Sequence, residues 1–92
     1  MQGSADLAVL RESIKSDRSV PFDLKILWNV LPYSEYAYGM LHGARLAAKL
    51  GLKRISVIEF GVAGGNGLLA AEAHALKIEK ELDIHIEIFG FD

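Results

Sequence analysis

Apolar residues recur at helical spacing in four stretches of the chain and in a strand-like pattern in two others. Apolar side chains three and four positions apart share one face of a helix, and this spacing predicts helices over residues 5–15, 21–31, 34–50 and 68–82. Short runs rich in β-branched residues predict strands over residues 55–60 and 84–91. A strand, a helix and a second strand in this order form a β-α-β unit, whose two strands run parallel.

Proline and glycine mark the boundaries of the predicted helices. Pro21 is suited to the first position of the second helix, and Pro32 ends that helix. Gly51 follows the third helix at the place where a glycine commonly caps the C-terminus. Gly39 and Gly43 are four residues apart at the edge of the third helix's apolar stripe, which predicts the close approach of a neighbouring backbone.

The predicted elements divide the chain into an N-terminal helical segment, residues 1–33, and an α/β segment, residues 34–92. Together they have the length of one small domain. The expected fold class is α/β, with N-terminal helices followed by the first β-α-β unit of a Rossmann-like parallel sheet. A sheet of two strands is incomplete, and its open edge is a place where a homo-oligomer can form.

Composition and charge exclude several classes of function. Apolar residues make up 51% and charged residues 24% of the chain, as is typical of globular domains. The net charge is −2, without the basic excess of nucleic-acid-binding proteins, so no nucleic-acid partner is expected. The absence of cysteine excludes disulfides and thiolate ligands, and we expect no metal site. No signal peptide and no membrane-spanning stretch is visible, so we expect a cytoplasmic location and no membrane partner.

The strongest functional signal is the glycine-rich loop between the first strand and the fourth helix. Four of the seven residues 61–67 are glycines, so the backbone can approach a ligand without intervening Cβ atoms. Open α/β sheets bind ligands at the carboxyl ends of their strands, and the helix that follows contributes free N–H groups. Asn66 is of a residue type that commonly caps such a helix. The loop therefore predicts a nucleotide-like cofactor site.

One cofactor class that uses such a loop is a dinucleotide. The six residues from Gly65 to Ala70 satisfy the pattern G-x-G-x-x-G/A. Glu59 opposes this interpretation, because a carboxylate at the end of the strand repels a pyrophosphate. An NAD(P)-dependent oxidoreductase stays an alternative, as does a non-catalytic module that binds a partner through the open sheet edge.

The residues around the loop resemble the first motif of the class I S-adenosylmethionine-dependent methyltransferases. That motif reads acid-x-Gly-x-Gly-x-Gly, and the chain reads Glu-Phe-Gly-Val-Ala-Gly-Gly from Glu59, with Ala63 in place of the middle glycine. The family also has an acid after the second strand that binds the two ribose hydroxyls, and Asp92 occupies this position. The Gly-Phe-Asp of residues 90–92 is similar to that of the macrocin-type O-methyltransferases.

The resemblance implies a cofactor, a reaction class and a set of binding residues. The chain would be the cofactor-binding N-terminal portion of a methyltransferase that transfers the methyl group of S-adenosylmethionine to a small molecule, at oxygen. It implies cofactor contacts from Glu59, Gly61, Ala63, Gly64, Gly65, Asn66, Gly67 and Asp92. It identifies no catalytic residue. Because the family's sheet has more strands than two, we expect the 92-residue chain to belong to a longer enzyme and to be inactive alone.

Two further groups of side chains are interpreted as structural. Tyr36 lies on the apolar stripe of the third helix and is predicted to be a core residue. The spacings of His42, His74 and His85 match no metal-binding motif, so these histidines are expected at the surface or at the edge of the core.

Overall fold

The computed structural model describes residues 3–61 and 64–91, and side chains from residue 6 onward. Over these residues the chain forms four helices and two strands, in the order α1 Gly3–Ser16, α2 Phe22–Leu27, α3 Ser34–Lys49, β1 Arg54–Phe60, α4 Asn66–Glu81 and β2 His85–Phe91. The predicted mixture of helices and strands is confirmed. The largest difference is at α2, which ends four residues before the predicted position, while α1 and α4 each begin two residues before it.

Two of the helices end in a left-handed residue. Gly51, the residue after the C-cap Leu50 of α3, has φ +79°, and the N–H of Leu52 donates to the Ala47 carbonyl oxygen at 2.9 Å. This hydrogen bond is typical of a Schellman motif, which confirms the predicted glycine cap. Asn29, with φ +54°, has the same position after α2. Pro21 precedes α2 as its N-cap, one residue before the position predicted for it.

The two strands form a parallel sheet, as predicted. Arg54 pairs with His85 at one end and Phe60 with Phe91 at the other. Along β1 every second residue is half-buried, and the residues between are exposed. This alternation arises because α3 contacts β1, α4 contacts β2 and the two helices contact each other, which places both on one face of the sheet.

The core lies between that face of the sheet and the two long helices. Leu41 in α3 and Ile78 in α4 are the largest fully buried side chains, and Ile84, just before β2, and Ile86 in β2 belong to the same core cluster. The remaining core positions of the two helices are mostly alanines, whose small size allows the helix backbones to approach closely: Ala37, Ala44, Ala47, Ala71 and Ala75. These positions belong to the apolar stripes that the helical spacing predicts.

The N-terminal helices pack less completely than the spacing predicts. Leu7 and Leu10 in the apolar stripe of α1 are about half exposed. In α2, Phe22 is buried as expected, whereas Leu27 is 79% exposed. The apolar spacing of the second predicted helix places Leu27 on its buried side, and this is wrong, because α2 ends at Leu27 and the chain turns away through Asn29.

Polar contacts to backbone carbonyls connect α1 to the rest of the chain. Lys25 is buried along its aliphatic stem, and its Nζ donates to the Lys15 carbonyl oxygen at 2.9 Å, in the last turn of α1. A cation at this end of a helix interacts favourably with the helix dipole. The Arg11 guanidinium donates to the carbonyl oxygen of Asn29. In the described part of the chain, no helix has the length and apolar character needed to cross a membrane.

Candidate functional site

Glu59 is the residue around which the candidate site is built. It lies one residue before the end of β1, and the strand's alternation turns its half-buried side chain toward the face covered by the helices. There the carboxylate lies against Gly67 in the first turn of α4. A Cβ atom at position 67 would be 2.6 Å from Oε1 and 2.9 Å from Oε2 of Glu59. Glycine at position 67 therefore provides the space that the carboxylate occupies.

The carboxylate of Glu59 lies at the electropositive end of α4. The first turn of α4 has no acidic residue of its own, and its N–H groups lack partners within the helix. Glu59 brings a negative charge to this position from a different element. Its Oε2 atom is buried without a hydrogen-bond partner among the described residues. An acceptor of this kind is rare in folded proteins and indicates a place for a donor.

Tyr36 in the first turn of α3 lies near the same carboxylate, and both residues line one cleft. The pKa of its phenol is raised above the ordinary value, first because the hydroxyl hydrogen bonds with Glu59, then by burial and by the negative charge of Glu59. Tyr36 was predicted to be a core residue, and its ring does pack at the edge of the core. Helical spacing places the side chain on this face, but no sequence pattern pairs its hydroxyl with Glu59.

A cleft of about 620 Å³ opens between α3 and β1, beside Glu59. Tyr36, Gly39 and Gly43 line its α3 wall. A Cβ atom at position 39 or 43 would meet no atom within 4 Å. The predicted close approach of a neighbouring backbone is therefore wrong, because these two glycines face the cleft. Volumes of this size are typical of small-molecule sites.

The glycine loop has three described residues in a conformation that favours glycine. Gly61, Gly64 and Gly65 have φ values of +73°, +85° and +83°, and an added Cβ on any of them would meet open space. The N–H of Gly61 donates to the Phe91 carbonyl oxygen at 2.7 Å, which continues the sheet's pairing by one hydrogen bond into the loop. The carboxyl ends of both strands therefore meet beside the loop.

The predicted cap of α4 is wrong. Gly65 is the N-cap and has no side chain to donate or accept, while Asn66 is the first residue of the helix and is exposed. Asn66 cannot cap the helix from a helical position, because a cap side chain acts from the residue before the first turn. Two other residues of the predicted set, Ala63 and Asp92, lie outside the described residues.

His74 is more buried than its sequence position suggests. It is 4% exposed, and its Nε2 lies 2.8 Å from the Pro32 carbonyl oxygen, as in a hydrogen bond from a protonated Nε2. Its ring lies 5.7 Å from that of Phe22. His74 therefore connects α4 to the segment before α3. The described residues contain no group of three or more His, Asp or Glu side chains arranged to hold a metal ion.

Comparisons with protein-family models, with curated proteins and with solved structures found no match for this chain. Arguments about its function therefore depend on the residues of the chain and on their geometry.

Proposed function

We propose that the chain is the cofactor-binding N-terminal portion of a class I methyltransferase, with S-adenosylmethionine as cofactor, in which α3, β1, α4 and β2 begin a Rossmann-like domain. The observation that supports this most is the carboxylate of Glu59 beneath the glycine loop, with one buried oxygen that lacks a donor. The proposed methyl acceptor is a small molecule with a reactive oxygen, and this part of the proposal rests on the sequence resemblance.

The cofactor's chemistry fits these residues. S-adenosylmethionine has an ammonium group and a sulfonium, and a carboxylate with an unused acceptor suits a cation of this kind. Left-handed glycines at positions 61, 64 and 65 allow the backbone to come close to a ligand. The neighbouring cleft has room for a small molecule. When bound, the cofactor supplies the methyl group, and the chain's own residues bind it and hold it in place.

The position of Glu59 disfavours the dinucleotide alternative. A pyrophosphate binds best at a helix N-terminus, because its charge interacts with the free N–H groups and the dipole. The carboxylate of Glu59 already occupies this end of α4, within contact distance of Gly67. A pyrophosphate at the same place would add negative charge beside a half-buried carboxylate, which is unfavourable.

Ligand preference tests the proposal directly. Isothermal titration calorimetry of the chain with S-adenosylhomocysteine and, separately, with NAD is expected to show binding of the first in preference to the second. Glu59→Gln removes the negative charge and is expected to weaken S-adenosylhomocysteine binding by about tenfold or more, since a hydrogen bond to a charged group is lost.

The exposed Glu72 of α4 offers a matched control. Glu72→Gln makes the same chemical change and alters the net charge of the chain by the same amount. Because Glu72 lies outside the cleft, this substitution should leave the affinity for S-adenosylhomocysteine unchanged. Preference for NAD, equal effects of the two substitutions, or no binding of S-adenosylhomocysteine by the unaltered chain would each contradict the proposal.

A further inference from the structure

The open face of the sheet, on the side away from α3 and α4, is apolar toward the carboxyl ends of its strands. The alternation along β1 and its pairing with β2 place four large apolar side chains there: Ile58, Phe60, Phe89 and Phe91. The exposed fractions of the three phenylalanines correspond to roughly 350 Å² of ring surface in contact with solvent. Contiguous apolar patches of several hundred square ångströms commonly mark interaction sites. This surface is the face of the sheet, not the strand edge.

The amino end of the same face has charges of opposite sign on its two strands. Arg54 in β1 and Glu87 in β2 form an ion pair, with Nη2 and Oε1 3.1 Å apart. The side chain of Arg54 is 70% exposed and that of Glu87 is 37% exposed, so each still has surface for a second partner of opposite charge. At this end the face is therefore positive on β1 and negative on β2.

This arrangement makes the face complementary to itself. A two-fold axis that runs along the strands, between β1 and β2, places β1 of one copy over β2 of another. Arg54 then faces Glu87 of the partner subunit, and the same contact forms a second time by symmetry. Phe60 faces Phe91 of the partner subunit, because these two residues are at the same level of the sheet. An axis across the middle of the strands would instead cover the charged end with aromatic rings, which is unfavourable.

We propose that the open face of the sheet binds a second copy of this chain, in a symmetric dimer whose two sheets pack face to face. Aligned packing of this kind is a common arrangement of two sheets. The phenylalanines of two copies would bury roughly 700 Å², and Ile58 with the charged residues adds to this, so the total comes near about 1,200 Å², the lower limit of standard interfaces. The dimer should therefore dissociate on dilution. The inference is independent of the proposed function, because Glu59 lies toward the opposite face.

The oligomeric state of the chain tests the proposal. Sedimentation equilibrium over a range of chain concentrations is expected to show monomers and dimers in exchange. Phe60→Ser removes the most exposed ring of the face and should raise the dissociation constant by about tenfold or more, since aromatic residues contribute most of the affinity in many interfaces. Leu27→Ser is the matched control, because Leu27 has the same exposed fraction of 79% but belongs to α2. It should leave the dissociation constant unchanged.

Reversal of the charges tests the symmetry of the dimer. Arg54→Glu brings four carboxylates together at the charged end and should weaken the dimer by about tenfold, and Glu87→Arg should do the same with four cations. The double variant restores opposite charges on the two strands and should return the dissociation constant to that of the unaltered chain. Arg18→Glu changes the net charge by the same amount at an exposed residue before α2, and should have no effect. Thermal unfolding of each variant shows whether the fold is retained.

Three outcomes would overturn the inference. A chain that stays monomeric at every concentration has no such interface. A dimer that Phe60→Ser and the single charge reversals leave intact forms through another surface. Equal weakening by Arg54→Glu and Arg18→Glu would show that only the net charge matters, which contradicts the proposed contact between Arg54 and Glu87 of the partner subunit.

Discussion

At the scale of single residues, the carboxylate of Glu59 takes the space that a side chain at position 67 would fill. The two residues lie on different elements, and the contact between them depends on how α4 packs beside β1. Glycine at position 67 does not favour the helix, since glycine has a lower helix propensity than alanine. Glycine at position 67 therefore serves to make room for the Glu59 carboxylate and does not stabilise the helix.

Gly67→Ala therefore separates stability from binding. The added methyl group would displace the Glu59 carboxylate, which lies at the end of a flexible side chain, and would raise the helix propensity of α4. We expect a melting temperature that is unchanged or higher, together with at least about tenfold weaker binding of S-adenosylhomocysteine through the loss of a charged hydrogen bond. Differential scanning calorimetry and isothermal titration calorimetry measure the two quantities. Undiminished affinity would show that the position of Glu59 is unimportant for binding.

The phenol of Tyr36 provides a pH-dependent signal. Its pKa is raised above the ordinary value of 10.0, mainly through the hydrogen bond with Glu59. The interaction stabilises the protonated phenol, so its contribution to folding is complete below the ordinary pKa and is lost as the pH rises through the raised pKa. Titration of phenolate absorbance should show a phenol that ionises above the ordinary tyrosine pKa.

Two variants assign this signal. Tyr36→Phe should remove the late-ionising phenol, and Glu59→Gln should move its pKa toward the ordinary value, because the carboxylate is its main cause. A titration of the unaltered chain that shows no phenol with a raised pKa would contradict the interaction with Glu59.

At the scale of elements, α3 combines two roles on adjacent faces. One face is buried against α4 and the sheet, and the other lines the cleft with Gly39 and Gly43. Both glycines have open space where a Cβ would be. Glycine at these positions lowers the stability of the helix, although a side chain there would clash with no atom of the described chain. We interpret the two glycines as residues that keep the cleft open.

Gly43→Ala tests this interpretation through stability. Because the new methyl group meets no atom within 4 Å, we expect the free energy of unfolding to rise by about 0.5–1 kcal/mol. The comparison is Gly51→Ala, where φ is +79° and alanine is strained, so a loss of about 1–2 kcal/mol is expected. Chemical denaturation measures both values. A loss of stability in Gly43→Ala would contradict this interpretation, because it would show that a methyl group at position 43 clashes with a neighbouring atom.

At the scale of the whole molecule, the sheet has one covered face and one open face. The open face is apolar toward the carboxyl ends of the strands, where Ile58, Phe60, Phe89 and Phe91 are all more than 40% exposed. The rings of Phe60 and Phe91 stack with centroids 5.9 Å apart. At the other end of the same face, Arg54 and Glu87 form an exposed ion pair at 3.1 Å, which contributes little to stability.

The 92-residue chain is expected to bind cofactor without transferring its methyl group. The sequence resemblance implies cofactor contacts at the loop but identifies no catalytic residue, and the sheet of the described residues has two strands, fewer than the sheet of that family. Incubation with radiolabelled S-adenosylmethionine and a set of small hydroxylated molecules should give no labelled product above background. Labelled product that depends on Glu59 would show that the chain is a complete enzyme.

The candidate site was only partly predictable. The glycine loop and Glu59 stand out because both are local features, a strand end followed by residues that allow left-handed backbone. The place of Tyr36 in the same cleft as Glu59 was missed, because 23 positions separate them and helical spacing alone favours a core role. The burial of His74 was missed for the same reason, since its partner Pro32 lies 42 residues away.

The spacing of apolar residues was enough to predict the four helices, the two strands and their parallel pairing, because these depend on contacts between near neighbours and on the direction in which a crossover helix returns the chain. Packing determined the rest: which face of the sheet stays open, which glycines line a cleft and which side chains meet Glu59. These features depend on how α3 and α4 lie against the same face of the sheet, and the position of one helix relative to another is not encoded in the spacing within either.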